Sequence, residues 1–175
     1  MKRLTKIGYI VLGLFFATYS SAFAQADIDD MESLDLGIGL AYGTEIETLG
    51  INANAYYPVS DKFLVGGGLT YFFPDDSPGA TINWFAVNVN GQYLFYSEEN
   101  FNAYGLAGLN ILIQSINFDE AVGQDNLSET YVGLNLGAGV EYGLGSTDLF
   151  GELKLAGIGD DADQLVLSAG LRFNL

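Results

Sequence analysis

The sequence contains no cysteine and no histidine, and it has only six basic residues against 22 acidic ones. Without cysteine the protein has no disulfide framework, so its stability must come from packing and from backbone hydrogen bonds. Without histidine it lacks the side chain that most often serves as general base or as the partner of a nucleophile. No serine has a base partner at a recognisable spacing, and no pair of acids stands out from the general acidity. The sequence therefore predicts no catalysis and no cofactor.

Charged residues are also scarce. They make up 16% of the chain, while 49% of the residues are hydrophobic, whereas a soluble domain usually carries about a quarter charged residues. Part of the surface must therefore do without charge. The net charge of -16 would repel the phosphates of a nucleic acid, so nucleic-acid binding is not expected.

The N-terminus has the three-part pattern of a signal peptide. A basic start at residues 1–6 is followed by a mostly apolar run at 7–17, and then by Ala22 and Ala24 at the minus-three and minus-one positions. The apolar run is too short for a membrane-spanning helix, which needs about 20 residues. We therefore expect export from the cytoplasm with cleavage after Ala24.

Removal of that segment leaves two regions with different composition. Residues 25–33 are predicted to be a short acidic periplasmic lead, and residues 34–175 to be one folded domain. Only three basic residues remain in the mature chain, namely Lys62, Lys154 and Arg172.

Apolar residues in the folded region alternate with small or polar ones at a period of two, which is the pattern of β-strands. In the sixth segment, for example, Leu134 and Leu136 fall on one face and Asn135 on the other. The fifth segment is less regular, because Tyr104 and Leu112 share a face with Asn110. Eight segments are predicted: 34–43, 49–57, 63–73, 85–95, 101–116, 131–142, 149–156 and 165–175.

The predicted connections differ in length at the two ends of this meander. Tight turns are expected at 58–62, 97–100 and 143–147. Longer, polar loops are expected at 74–83, 117–129 and 157–163, with a short connection at 43–48 as the exception. Unequal ends are typical of transmembrane barrels.

The two strand faces distinguish a membrane barrel from a soluble one such as a lipocalin. Neither face is rich in charge, and the charges that fall on strands all lie on the small or polar face: Asp35, Glu141, Glu152, Lys154 and Arg172. No helical segment in the mature sequence is long enough to cover the apolar face, so we expect the hydrocarbon of a lipid bilayer to cover it. In hydrocarbon the strands must close without edges. The sequence thus predicts an all-β fold, an eight-stranded antiparallel transmembrane up-and-down β-barrel.

Aromatic residues cluster near the predicted strand ends, as in the two girdles of a membrane barrel. The girdle at the tight turns is predicted to contain Tyr57, Phe63, Tyr93, Phe95, Tyr142 and Phe173. The girdle at the longer loops is predicted to contain Tyr42, Tyr71, Phe73, Trp84 and Phe85.

With its signal peptide, the turn at 56–63, the stretch at 137–142 and the alternating last strand, the chain resembles the small outer-membrane β-barrel family, often called porin-like. The resemblance covers the whole mature chain. It departs at the last residue, Leu175, where such barrels commonly end in Phe, although Phe173 lies two positions earlier on the same face. The resemblance implies a cell outer-membrane location, contact with lipid and lipopolysaccharide, and the barrel-assembly machinery as a partner during biogenesis.

The inward charges on strands six, seven, eight and one are predicted to form a neutralising network in the lumen. A buried charge without a partner is expensive, and an eight-stranded barrel has room only for side chains or one small ligand. The first interpretation is structural filling of a plugged lumen by Asp35, Glu141, Glu152, Lys154 and Arg172. The alternative is a gate, in which these ion pairs rearrange to let small solutes pass.

The longer connections carry many acids and no Lys or Arg. A solvated polar rim is one interpretation. The other is a divalent-cation site, with Asp160, Asp161 and Asp163 as the weak candidates, since hard cations bind clustered carboxylates. The predicted function is a structural or surface-interaction role in the outer membrane. The alternative is a narrow cation-preferring passive channel, or a carrier of a small hydrophobic molecule.

Overall fold

The computed structural model describes residues 34–77, 79–118 and 125–175. The predicted signal peptide and the predicted acidic lead lie outside the described residues. The strands are β1 (Asp35–Gly43), β2 (Thr48–Ser60), β3 (Phe63–Ser77), β4 (Ala80–Glu98), β5 (Phe101–Phe118), β6 (Leu127–Gly143), β7 (Thr147–Ile158) and β8 (Gln164–Asn174).

Each strand pairs antiparallel with the next one, and β1 pairs with β8, so the sheet closes into a barrel. Closure leaves no unpaired strand edge. The eight-stranded antiparallel barrel predicted from the sequence is therefore confirmed. Within the described ranges, no helix has the length and apolar character needed to cross a membrane.

The alternation of the sequence becomes the alternation of two barrel surfaces. On β6, Leu134 and Leu136 are 55% and 57% exposed on the outside, while Asn135 between them is 2% exposed and points into the lumen. The irregular β5 follows the same rule, since Tyr104 and Leu112 are buried. The outer surface is thus apolar and the lumen mostly polar, which is the reverse of a water-soluble barrel.

At the end of the barrel where β3 meets β4, the strands extend further than the alternation of the sequence predicted. The predicted loop at 74–83 is wrong in its extent, because Asp75 pairs with Ile82 and Ser77 with Ala80 after a register shift. The predicted loop at 117–129 likewise shortens, because β5 extends to Phe118 and β6 begins at Leu127. Polar side chains in these parts hide the period of two, although the backbone continues to pair. We call the end with these hairpins the outer end.

The pairing of β6 with β7 shifts its register at Asn135, a buried polar residue of the lumen. Leu134 pairs with Ile158 and Leu136 with Leu155, so two residues of β7 lie opposite Asn135. One of these two residues is Gly157, whose φ of 80° lies in the left-handed region that glycine adopts without strain.

The aromatic residues largely follow the two predicted girdles. Phe63, Tyr93 and Tyr142 are exposed on the outer surface near one end, and Tyr71 near the other. The assignment of Trp84 to the lipid-facing girdle is wrong. Trp84 has the same parity on β4 as the buried Ala86, and its side chain packs against the apolar cluster inside the outer end of the lumen.

Candidate functional site

Arg172 on β8 is the most buried charged side chain of the lumen, with 1% of its surface exposed. Its guanidinium forms an ion pair with Glu141 on β6, which is also buried. Arg172 Nη2 donates a hydrogen bond of 3.4 Å to Asn54 Oδ1 on β2. The side chain therefore joins strands from opposite sides of the barrel.

Three aromatic rings surround the same guanidinium. Its central carbon lies 5.0 Å from the ring centroid of Tyr56, 5.2 Å from that of Phe150 and 5.9 Å from that of Tyr104. A cation within about 6 Å of a ring face is attracted by roughly 2 kcal/mol when both are shielded from water. The rings also exclude water from the Arg172–Glu141 pair, which strengthens the interaction between the two charges.

Space for one of these rings comes from a glycine on the neighbouring strand. Gly139 pairs with Tyr104 across β5 and β6, and a Cβ atom at position 139 would overlap the Tyr104 ring. The small residues of the inward face are thus matched to the large ones.

Lys154 and Glu152 on β7 form the second ion pair, with 3.7 Å between Lys154 Nζ and Glu152 Oε1. The Tyr104 hydroxyl donates a 3.1 Å hydrogen bond to Glu152 Oε2, so this pair connects to the rings around Arg172. On its other side, Lys154 Nζ donates to Asn88 Oδ1 at 3.5 Å.

Asparagine amides fill the middle of the lumen. Asn88 Oδ1 accepts hydrogen bonds of 2.9 Å from both Asn110 and Asn135. Asn135 also donates to Asn90 Oδ1 at 2.8 Å. These residues are at most 5% exposed. Because an amide side chain can both donate and accept, these residues hold β4, β5 and β6 together without a net charge.

An apolar layer lies above the amides at the outer end of the lumen. A cavity between the two layers measures about 10 Å³, which holds one water molecule at most. The described residues thus leave no open passage at this level. The buried side chains of the layer are Ala41, Phe72, Ala86, Leu112, Ala156 and Val166.

The structure brings together four of the five charges predicted for the lumen. They form two ion pairs, Arg172 with Glu141 and Lys154 with Glu152. Asp35 is half-buried at the start of β1 and forms no ion pair with any described residue. A functional role for these charges stays a prediction.

The three acids proposed for a divalent cation do not gather around one point. Asp160 accepts hydrogen bonds from the backbone amides of Val132 and Asp161, at 3.1 and 2.7 Å. Among the described residues, no three acidic side chains lie close enough to hold a metal ion. The described residues thus show no metal-binding cluster around Asp160, Asp161 and Asp163.

Sequence reasoning missed the aromatic and amide partners of the charges. Tyr56 and Phe150 fall on the face of small and polar residues, and an aromatic residue on that face was the available signal. The inward asparagines were visible as well, but their bonds join strands far apart in sequence, so the pairing could not be derived.

No protein-family model matches the chain, and no curated protein matches it in sequence. The fold matches the N-terminal β-barrel domain of Pseudomonas aeruginosa OprF with a TM-score of 0.65 at 14% identity, over 83% of this chain and 98% of that one. It matches Ail of Yersinia pestis with a TM-score of 0.58 at 18% identity, over 82% and 100% of the two chains. It matches a transmembrane β-barrel designed de novo with a TM-score of 0.57 at 14% identity, over 82% and 96%.

The matched structures are barrels of the same size as this one. Ail has also been solved as an outer membrane protein in a phospholipid bilayer nanodisc, a structure that matches with a TM-score of 0.54 at 16% identity over 82% of this chain and 99% of that one. With its apolar outside and filled polar inside, the chain thus has the fold of the eight-stranded outer-membrane β-barrels.

Proposed function

We propose that this protein is an integral outer-membrane barrel with a structural or surface-interaction role, and that it neither conducts solutes nor catalyses a reaction. The observation that carries the proposal is the filled lumen inside an apolar outer surface. Lipid and lipopolysaccharide surround the barrel, the barrel-assembly machinery inserts it, and nucleic acid is not a partner.

The outer surface supports insertion into lipid. Large apolar side chains that are about half exposed, such as Ile38, Leu69, Leu109 and Val132, would each cost free energy in water, since burying one such side chain stabilises by about 1.5–3 kcal/mol. In hydrocarbon that cost disappears, and the closed sheet satisfies the backbone there.

The contents of the lumen support the absence of conduction. An ion that crossed the barrel would have to displace the Arg172–Glu141 pair, part the asparagine amides and pass between Phe72 and Leu112. Breaking a buried ion pair costs about 3–5 kcal/mol, and each amide left unpaired adds about 1–3 kcal/mol. These barriers add up along a single path, so the barrel acts as a solid anchor.

Acidic residues at the outer end support a role in surface interaction. Glu45, Asp75, Asp125 and Asp161 lie there, and the chain has no Lys or Arg in the corresponding connections. Ail was crystallised with the heparin analogue sucrose octasulfate, a polyanion. The acidic rim of this chain would repel such a ligand, so we infer that its surface partner is positively charged.

Conductance of the refolded protein in planar lipid bilayers tests the proposal. We expect no current steps from the natural sequence. A variant with Phe72→Ala, Asn135→Ala and Arg172→Ala removes bulk from all three levels of the lumen and should conduct, provided that heat-modifiable gel mobility shows a folded barrel. Stable, cation-preferring steps from the natural sequence would instead establish the channel.

A further inference from the structure

The outer end of the lumen opens into a cup with a volume of about 360 Å³. Its lining side chains come from the β1–β2 turn, β3, β4, β5, β6, the β7–β8 turn and β8, so they surround the barrel mouth. A cavity of 300–1,000 Å³ is the size that small-molecule sites have. The residues that define the outer cup are Glu45, Asp75, Trp84, Tyr131, Asp161 and Gln164.

Two aromatic rings form walls of the outer cup. Trp84 and Tyr131 are partly buried and pack against the apolar layer, together with Ile46 and Ala162. The Tyr131 hydroxyl donates a 2.5 Å hydrogen bond to Glu129 Oε2, which restrains the ring. Below the walls, Leu112 closes the floor.

The charge of the outer cup is entirely negative. Glu45, Asp75 and Asp161 line it, and none of the residues that line it is basic. The only lysine described inside the barrel, Lys154, lies beneath the apolar layer, where Glu152 is its partner. The three carboxylates are therefore not neutralised by a protein cation within the described residues.

Gln164 contributes a buried polar side chain to the wall of the cup. The side chain is 6% exposed, and its Oε1 atom has no hydrogen-bond partner in the described part of the chain. The cup thus offers carboxylates and aromatic rings, both of which attract positive charge.

We propose that the outer cup is a binding site for a small organic cation, with an ammonium head group on a compact apolar body. The aromatic faces and carboxylates take the head group, as in the aromatic sites that recognise quaternary ammonium ions. The apolar floor takes the body. A metal ion does not fit, because no three acidic side chains among the described residues lie close enough to hold one. The inference goes beyond the proposed function and does not depend on it.

Trp84 makes the test direct, because it is the only tryptophan in the chain and it lines the cup. Refolded full-length protein in a non-ionic detergent is titrated with choline and with its neutral isostere 3,3-dimethylbutan-1-ol. Zwitterionic detergents are avoided because they carry the same ammonium group. We expect a saturable change in tryptophan fluorescence with choline, and at least about tenfold weaker binding of the neutral alcohol.

Two matched substitutions separate the cup from the general acidity of the outer end. Asp161→Asn removes a carboxylate that lines the cup, and Asp163→Asn removes one two residues away that does not. We expect Asp161→Asn to weaken choline binding about fivefold or more and Asp163→Asn to change it less than about twofold, since the difference is set by contact rather than by long-range charge. Heat-modifiable gel mobility verifies that both variants are folded.

Several outcomes would overturn the proposal. Equal binding of choline and the neutral alcohol would reduce the cup to a nonspecific apolar surface. Equal weakening by Asp161→Asn and Asp163→Asn would assign the effect to diffuse charge. An identical, saturable fluorescence change with calcium chloride would assign the acids to a metal ion, and no saturable change with choline would leave the cup without this ligand.

Discussion

At the scale of single residues, Arg172 contacts a buried carboxylate, an amide and three aromatic rings at the end of the lumen opposite the outer end. Its removal would leave Glu141 buried without a counter-charge, which costs about 3–5 kcal/mol in comparable buried pairs. We therefore expect Arg172→Ala to lower the free energy of unfolding by about that amount. Urea unfolding in the presence of lipid vesicles measures the loss.

The same experiment has an internal comparison. Arg172→Met combined with Glu141→Leu removes both charges and keeps apolar volume, and we expect it to be more stable than Arg172→Ala, because no charge is then stranded. Asp35→Asn is the control at the same end of the barrel, since Asp35 forms no ion pair with a described residue, and it should change stability little. Equal midpoints for Arg172→Ala and Asp35→Asn would show that the ion pair does not stabilise the barrel.

Single residues also show how far the sequence predicts the site. The inward position of Glu141, Glu152, Lys154 and Arg172 followed from parity alone, because a strand face of small residues identifies the lumen. Their division into two pairs did not follow. The Arg172–Glu141 pair depends on the register of β7 with β6 and with β8, which places Glu141 opposite Phe150 and Arg172 opposite Asp148. The period of two does not give that register.

At the scale of the strands, small inward residues set the packing of the lumen. Gly139 on β6 faces the Tyr104 ring, whereas Gly151 on β7 faces outward, and the nearest atom to a Cβ there would be Val140 Cγ2 at 4.0 Å. Gly139→Ala should therefore destabilise the barrel by about 1–3 kcal/mol through overpacking. Gly151→Ala should be close to neutral.

Both glycine variants are measured by the same unfolding experiment. A second readout is the loss of heat-modifiable gel mobility at lower temperature for Gly139→Ala alone. If the two variants were equally stable, the inward and outward assignment of these neighbouring strands would be wrong.

The sequence predicted the number of strands and which side chains point outward or inward. It predicted the strand lengths less well. All eight were visible from the period of two, because lipid demands an apolar side chain at every second position across the hydrocarbon. Beyond the hydrocarbon that demand ends. The pairing of Asp75 with Ile82 continues the backbone hydrogen-bond ladder of the sheet, and that ladder leaves no periodic pattern in the sequence.

At the scale of the whole molecule, the two ends of the barrel should lie on opposite sides of the outer membrane. The chain has no natural cysteine, so a single introduced one reports its own position. We expect Asp125→Cys, in the connection before β6, to react with a membrane-impermeant thiol reagent in intact cells. Asp61→Cys, in the tight turn between β2 and β3, should react only after the cells are permeabilised.

This pair of labels also tests the membrane assignment itself. Equal labelling of both positions in a soluble periplasmic fraction would contradict it. Labelling of Asp61→Cys in intact cells together with protection of Asp125→Cys would place the barrel upside down.

The acidic outer end has a kinetic consequence for how the barrel enters a bilayer. When the chain inserts from one side, the outer-end carboxylates must cross the hydrocarbon, and an ionised carboxylate crosses at a far higher cost than a protonated one. Replacing outer-end carboxylates by neutral amides, as in Asp161→Asn, should therefore raise the rate of insertion into lipid vesicles. Trp84 lies at this end, so its fluorescence marks the last step of crossing. The carboxylates that make the mouth of the folded barrel acidic thus also slow its insertion into the bilayer.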